Sequence, residues 1–185
     1  MNRRLFNVPN LLTVTRIAIL PLLAFLISEG QGLWACVILV VAGLTDIADG
    51  WYARKFKQET PIGKLLDPVA DKVLLCVALI FLVGRNSNPL SPSLATLLLA
   101  REFLVTGLRA MAAAEGLVIG AGGTGKLKTF AQFVGLGALM LEFDPLGLPS
   151  HVIGIVALWI SVFLSYLSML QYMQLAFLEL KSKMR

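Results

Sequence analysis

Four aspartates carry the strongest chemical signal in this chain. They fall in two clusters: Asp46 and Asp49, followed by Gly50, Ala53 and Arg54, and then Gly63, Asp67 and Asp71. Residues three or four apart share a helix face, so Asp46 pairs with Asp49, while Gly63, Asp67 and Asp71 form one row. A hairpin through the polar stretch 55–61 would bring all four acids together. Carboxylates that close repel strongly unless a positive charge stands between them. Oxygen-only donors point to a hard divalent cation, Mg²⁺ or Mn²⁺, and four acids can serve two such ions. Gly50 and Gly63 remove side chains where a ligand would approach. Arg54 adds a planar fork suited to phosphate. Helix capping or pairing with Arg54, Lys55, Lys57, Lys64 or Lys72 would account for any one of these acids. It does not account for the spacing of all four together with the small residues.

The elements that must position these acids are apolar. The chain has 185 residues, 57% of them hydrophobic, with a mean hydropathy of +0.81. Soluble domains average about 45–50% apolar, so the composition predicts an all-α polytopic membrane protein, a single domain over 1–185. Six transmembrane helices are expected at about 11–28, 33–49 (running on toward Lys55), 65–83, 92–114, 130–141 and 152–170. A short interfacial segment with Arg3, Arg4, Leu5 and Phe6 precedes them. Pro68 is expected in the first turn of the third helix, where its missing N–H is harmless. Cys36 and Cys76 lie in apolar runs and read as small packing residues rather than a disulfide. His151 reads as a boundary residue. The small residues Gly135, Gly137 and Ala138 suit close helix packing, within the chain or between chains.

Net charge is +5 and the isoelectric point is near 9.5. The placement of the basic residues argues against nucleic acid as the partner. Arg3, Arg4, Arg54, Lys55, Lys57, Lys64, Lys126, Lys128, Lys181, Lys183 and Arg185 collect on one side of the expected spans. The other loops offer Arg85 with Glu29, Glu142 and Asp144. The positive-inside rule then puts both termini and all four aspartates in the cytoplasm, facing anionic membrane lipids. Ionisable residues within spans are functional suspects. Arg16 either snorkels or points inward at a phosphate, Arg101 and Glu102 can pair with each other, and Arg109 completes the set. Gly120 to Lys126 begins like a phosphate-binding P-loop, but Leu127 stands where Ser or Thr is needed.

Metals held by carboxylates at a membrane face suit attack on a phosphoanhydride, because paired ions clamp both attacking and leaving oxygens. Asp46, Asp49 and Asp67 read chiefly as ligands. Asp71, last in the series, reads as ligand and as the base that takes the proton of an incoming hydroxyl.

The pattern D-x-x-D-G-x-x-A-R followed by G-x-x-x-D-x-x-x-D resembles the signature of the CDP-alcohol phosphatidyltransferase family at every fixed position. That resemblance implies transfer of a phosphatidyl group from a CDP-linked lipid to an alcohol, with release of CMP and use of Mg²⁺ or Mn²⁺. It implies metal ligation by Asp46, Asp49, Asp67 and Asp71, with Asp71 also the proton acceptor. It puts Gly50, Arg54 and Thr60 at the CDP moiety, and the stretch containing Asn10 and Thr13 is similar to the family's nucleotide-contacting N-terminus. The whole chain resembles the bacterial members whose donor is CDP-diacylglycerol and whose acceptor is sn-glycerol 3-phosphate, through Val8 to Thr13 with Arg16, Leu66 to Lys72, Ala100 to Glu102 with Arg109, and Gly125 to Thr129 with Gln132. Arg109, Lys126 and Lys128, with Thr124 as a further donor, are the expected contacts for the acceptor phosphate. The stretch Ala121 to Thr124 departs from some relatives, which carry an aromatic or hydroxyl residue there. The family also implies a homodimer in the bacterial inner membrane. Two rivals remain: the same chemistry with inositol phosphate, serine or phosphatidylglycerol as acceptor, and a small ion or metal transporter. Transport paths place acids near the midplane of repeated halves, whereas these acids lie at one face and no internal repeat is present.

Overall fold

A computed structural model describes the backbone of residues 8–55, 61–87, 89–114, 124–141 and 143–183. It describes the side chains of residues 11–48, 55, 63, 66–87, 89–114, 127–141, 143–145 and 147–175. Among these, the protein is all-α: α1 (Val8–Ser28), α2 (Gly32–Lys55), α3 (Pro61–Val83), α4 (Pro92–Ala114), α5 (Thr124–Met140) and α6 (Ser150–Lys183), with a 3₁₀ turn at Pro145–Gly147 before α6. The expected interfacial segment and the 55–61 turn fall mostly outside the described residues.

Local chemistry explains the ends. Gly30 takes a left-handed φ of 70°, and Gln31 N–H donates to Leu26 O, which stops α1 and turns the chain straight into α2. α3 and α4 each open on a proline, where the lost N–H has no helical partner to miss. Asp144 starts α6 by accepting from Ser150 N–H at 2.9 Å and from Ser150 Oγ at 3.0 Å. Arg85, just past α3, donates through Nη1 to Leu139 O at 2.9 Å and closes the carboxyl end of α5. One expectation is corrected here. α3 begins at Pro61, so Pro68 lies inside the helix rather than in its first turn. The apolar pattern that marks the span begins only near Leu65, while the helix itself starts a turn earlier on the polar residues.

α1 packs against both α2 and α3, which make scant direct contact with each other among the described residues. α5 lies against α2, α3 and α6, and α4 against α3 and α6. The buried core runs through every helix, with Leu23 and Ile27, Leu39, Leu79 and Leu82, Leu94 and Leu98, Leu136 and Met140, and Leu158 at its centre. Large apolar side chains cover the outside as well. Trp34, Val37, Val41 and Leu44 form an exposed stripe on α2, and Val152, Val156, Trp159, Phe163, Leu167 and Leu170 form another on α6. Continuous exposed stripes of this kind are foreign to a soluble monomer. Two helices are long and apolar enough to cross a membrane, over Leu11–Ser28 and Ser150–Leu175, and shorter apolar stretches occupy Gly32–Ala48 and Leu127–Met140.

The small residues of α5 are spent inside the chain. Gly135 faces Gly154 of α6 so closely that a Cβ on Gly135 would sit 2.7 Å from Leu158 Cδ2 and 3.1 Å from the Gly154 carbonyl oxygen. Gly137 faces Cys36 and Leu39 of α2. The leucine can move, but the carbonyl belongs to the helix itself. Gly135→Ala is therefore expected to push α5 from α6 and to cost about 1–3 kcal/mol, as overpacking does. Thermal unfolding in detergent measures this, and Gly107→Ala, where an added Cβ meets nothing within 4 Å, should be neutral or mildly stabilising.

Candidate active site

α1 gathers the three aspartates whose side chains are described, Asp46, Asp67 and Asp71. Thr13 and Arg16 lie one turn apart on the buried face of α1, at 0% and 4% exposure. Thr13 Oγ1 donates to Asp67 Oδ1 of α3 at 2.5 Å. Arg16 Nη1 donates to Asp46 Oδ1 of α2 at 2.8 Å and to Asp71 Oδ1 of α3 at 3.0 Å. A single guanidinium nitrogen thus bridges acids from two helices. The turn of the expected α2–α3 hairpin lies outside the described residues; among the described residues, α1 lies against both helices and ties Asp46 to Asp71. Mutual repulsion of carboxylates explains why a cationic side chain, rather than α2–α3 packing, brings Asp46 and Asp71 together.

The cluster is open on its other side. The Asp46 and Asp71 side chains stay 41% and 54% exposed while Arg16 is buried beneath them. Each has one oxygen on the guanidinium and a second for another partner. Among the described residues no three His, Cys, Asp or Glu side chains close around a common point in the way a finished metal cage would. Asp49 and Gly50 lie in α2 one turn beyond Asp46, and Arg54 a further turn on; their side chains fall outside the described residues. All-carboxylate chemistry with free, accessible oxygens fits a hard divalent cation, and Asp46, Asp67 and Asp71 would hold it.

The remaining expected residues are distributed around the bundle. Asn10 lies in the first turn of α1 and Thr124 and Lys126 in the first turn of α5, with side chains outside the described residues, as is Thr60 altogether. Arg109 of α4 stacks over the Tyr172 ring of α6, 5.7 Å from its centroid. Lys128 is buried and its Nζ donates to Glu102 Oε1, which also accepts from Arg101 Nη1 at 3.0 Å. Arg101 Nε donates in turn to Ser165 O of α6, and Ser161 Oγ donates to Lys128 O. The expected Arg101–Glu102 pair is present, with Lys128 as its third member.

Ser161 and Ser165 of this second cluster escaped the sequence reading. They are one helical turn apart on α6, as Lys128 and Gln132 are on α5, and all four are buried in otherwise apolar helices. That spacing was the available signal. Glu102→Ala would leave Lys128 and Arg101 buried without their shared acid. Breaking one side of a buried pair costs about 3–5 kcal/mol, so the variant should melt well below the wild type, while Glu102→Gln, which keeps an acceptor, should lose less.

Residues 6–167 match the family described as CDP-alcohol phosphatidyltransferase. The chain is 37% identical over 183 residues to the CDP-diacylglycerol–glycerol-3-phosphate 3-phosphatidyltransferase of Bacillus subtilis, covering 91% of this chain and 94% of that protein. The same-named proteins of Rickettsia felis and Haemophilus influenzae are 36% and 35% identical, each across at least 90% of this chain and 93% of their own length.

Proposed function

The chain belongs to the CDP-alcohol phosphatidyltransferase family, and we infer from this that it is a phospholipid-synthesising transferase of the phosphatidylglycerophosphate synthase type. It transfers the phosphatidyl group of CDP-diacylglycerol to sn-glycerol 3-phosphate and releases CMP. The observation that carries this is the similarity to several same-named relatives over some nine-tenths of the chain. The hydroxyl of glycerol 3-phosphate attacks the phosphorus that bears the diacylglycerol, the bond from that phosphorus to the CMP oxygen breaks, and CMP leaves. Asp71 takes the hydroxyl proton on the oxygen that Arg16 does not engage. Its half-exposed side chain, which an incoming hydroxyl can reach, supports that role.

The family uses divalent metals. Asp46, Asp49, Asp67 and Asp71 are the proposed ligands, and the ions, two in this reading, would polarise the phosphoryl oxygens and stabilise the leaving phosphate. Asn10, Thr13, Gly50, Arg54 and Thr60 are the proposed contacts for the CDP moiety. Arg109, Lys126, Lys128 and Thr124 are proposed for the acceptor phosphate; Lys128 would have to share its charge between Glu102 and that phosphate.

The family is a membrane protein family. The exposed apolar stripes and the alternation of basic and acidic loops support six transmembrane helices in the bacterial inner membrane, with the site and both termini cytoplasmic. The homodimer rests on family resemblance alone.

CMP release by the detergent-purified protein, given CDP-diacylglycerol and Mg²⁺, tests the acceptor. Release is expected with glycerol 3-phosphate and not with serine, inositol, inositol phosphate or phosphatidylglycerol. Asp71→Asn should lower it by roughly 10²–10⁴, the usual contribution of a general base. Release with another acceptor would overturn the glycerol 3-phosphate assignment and leave the aspartates in place.

A further inference from the structure

Arg16 has no binding or chemical role in the function proposed above, yet one of its nitrogens lies 2.8 Å from Asp46 Oδ1 and 3.0 Å from Asp71 Oδ1. The side chain is 2% exposed, and a guanidinium keeps its proton in any protein setting. A permanent positive charge is therefore built into the floor of the acid cluster, reaching the same two carboxylates that the proposed metal would use. The acids come from α2 and α3, which make scant direct contact among the described residues. Among the described residues, the charge that meets their repulsion comes from α1, through Arg16.

We propose that Arg16 is a built-in counter-cation of the acid cluster, holding Asp46 and Asp71 together when no divalent ion is bound and opposing the binding of that ion. The inference rests on the metal reading of the four aspartates. Two cations that neutralise the same acids each make the other less necessary, and their charges repel. The coupling is reciprocal: whatever Arg16 takes from metal affinity, the metal takes from the stabilising effect of Arg16. The arrangement keeps the site assembled while empty and holds the ion loosely enough to exchange. A simple outer-shell support behaves in the opposite way, since removing such a partner weakens metal binding by about 10–100-fold. The two roles differ in sign.

The test uses the full chain in detergent, purified in Mg²⁺ and exchanged directly into Mn²⁺, so that folding never depends on the ion-free state. Free Mn²⁺ is read by electron paramagnetic resonance. Arg16→Gln, or Arg16→Met if the amide is not tolerated in the buried position, is expected to bind Mn²⁺ more tightly than the wild type. The gain should fall within the roughly 5–150-fold range of ordinary coupling between sites. Arg16→Lys keeps the charge and should stay near the wild-type value. In thermal unfolding, the neutral variants should fall furthest in EDTA and gain more from Mn²⁺ than the wild type gains. Equal or weaker Mn²⁺ binding by the neutral variants, with the wild type binding normally, would overturn the inference and leave the metal site standing. No Mn²⁺ binding by the wild type would overturn the metal site and this inference with it.

Discussion

Bringing several carboxylates to one place within an apolar bundle costs free energy that a nearby positive charge offsets. That constraint shapes the half of the molecule containing α1, α2 and α3. α1 supplies Thr13 and Arg16 from one buried face, and both side chains end on aspartates of the neighbouring helices. The aliphatic residues that follow on the same helix, Leu20, Leu23 and Ile27, carry the seam on into the core. α1 thus ties the acids of its two neighbours together, and apolar packing below carries the same seam.

The other half obeys the same rule with the signs exchanged. Arg101 and Lys128, both cations, converge on the single acid Glu102, and the serine-bearing face of α6 supplies further hydrogen bonds to the cluster. Here the polar groups are buried beside tightly packed glycines, Gly135 against Gly154. Close approach of two helix backbones leaves little room for water, so each buried polar atom depends on its protein partners. Gln132 Nε2 and Ser165 Oγ are buried without a hydrogen-bond partner among the described residues. They mark this seam as polar beyond the needs of packing.

Much of this was legible in the sequence. All six helices follow from the apolar runs and their proline and glycine boundaries, and the shared face of Asp67 and Asp71 follows from helical periodicity alone. What was not legible is which helix would mediate. Arg16 invites a phosphate or a membrane-surface explanation when read by itself, because spacing along one helix says nothing about what lies across from it. Its partners are 30 and 55 residues away in the chain. The start of α3 was misjudged for a related reason: hydropathy marks where a helix enters an apolar setting, whereas Pro61 and the polar turn after it are helical without being apolar. The small residues of α5 left open whether they faced another copy; the structure turns Gly135 to Gly154 of α6 and Gly137 to Cys36 and Leu39 of α2.

Placing the acids on helices rather than loops has a chemical consequence. A carboxylate on a loop can swing away from a neighbour of like charge, and so lower the repulsion at the expense of geometry. Asp46 lies within α2, and Asp67 and Asp71 within α3, so their backbones are fixed by helical hydrogen bonds and by leucines packed a turn or two away. Repulsion there cannot relax by backbone motion and must be met by charge. The rigidity that gives the site its precision therefore creates the need for a cation, and Arg16, buried and permanently charged, meets that need from beneath while leaving the outer oxygens open to a ligand.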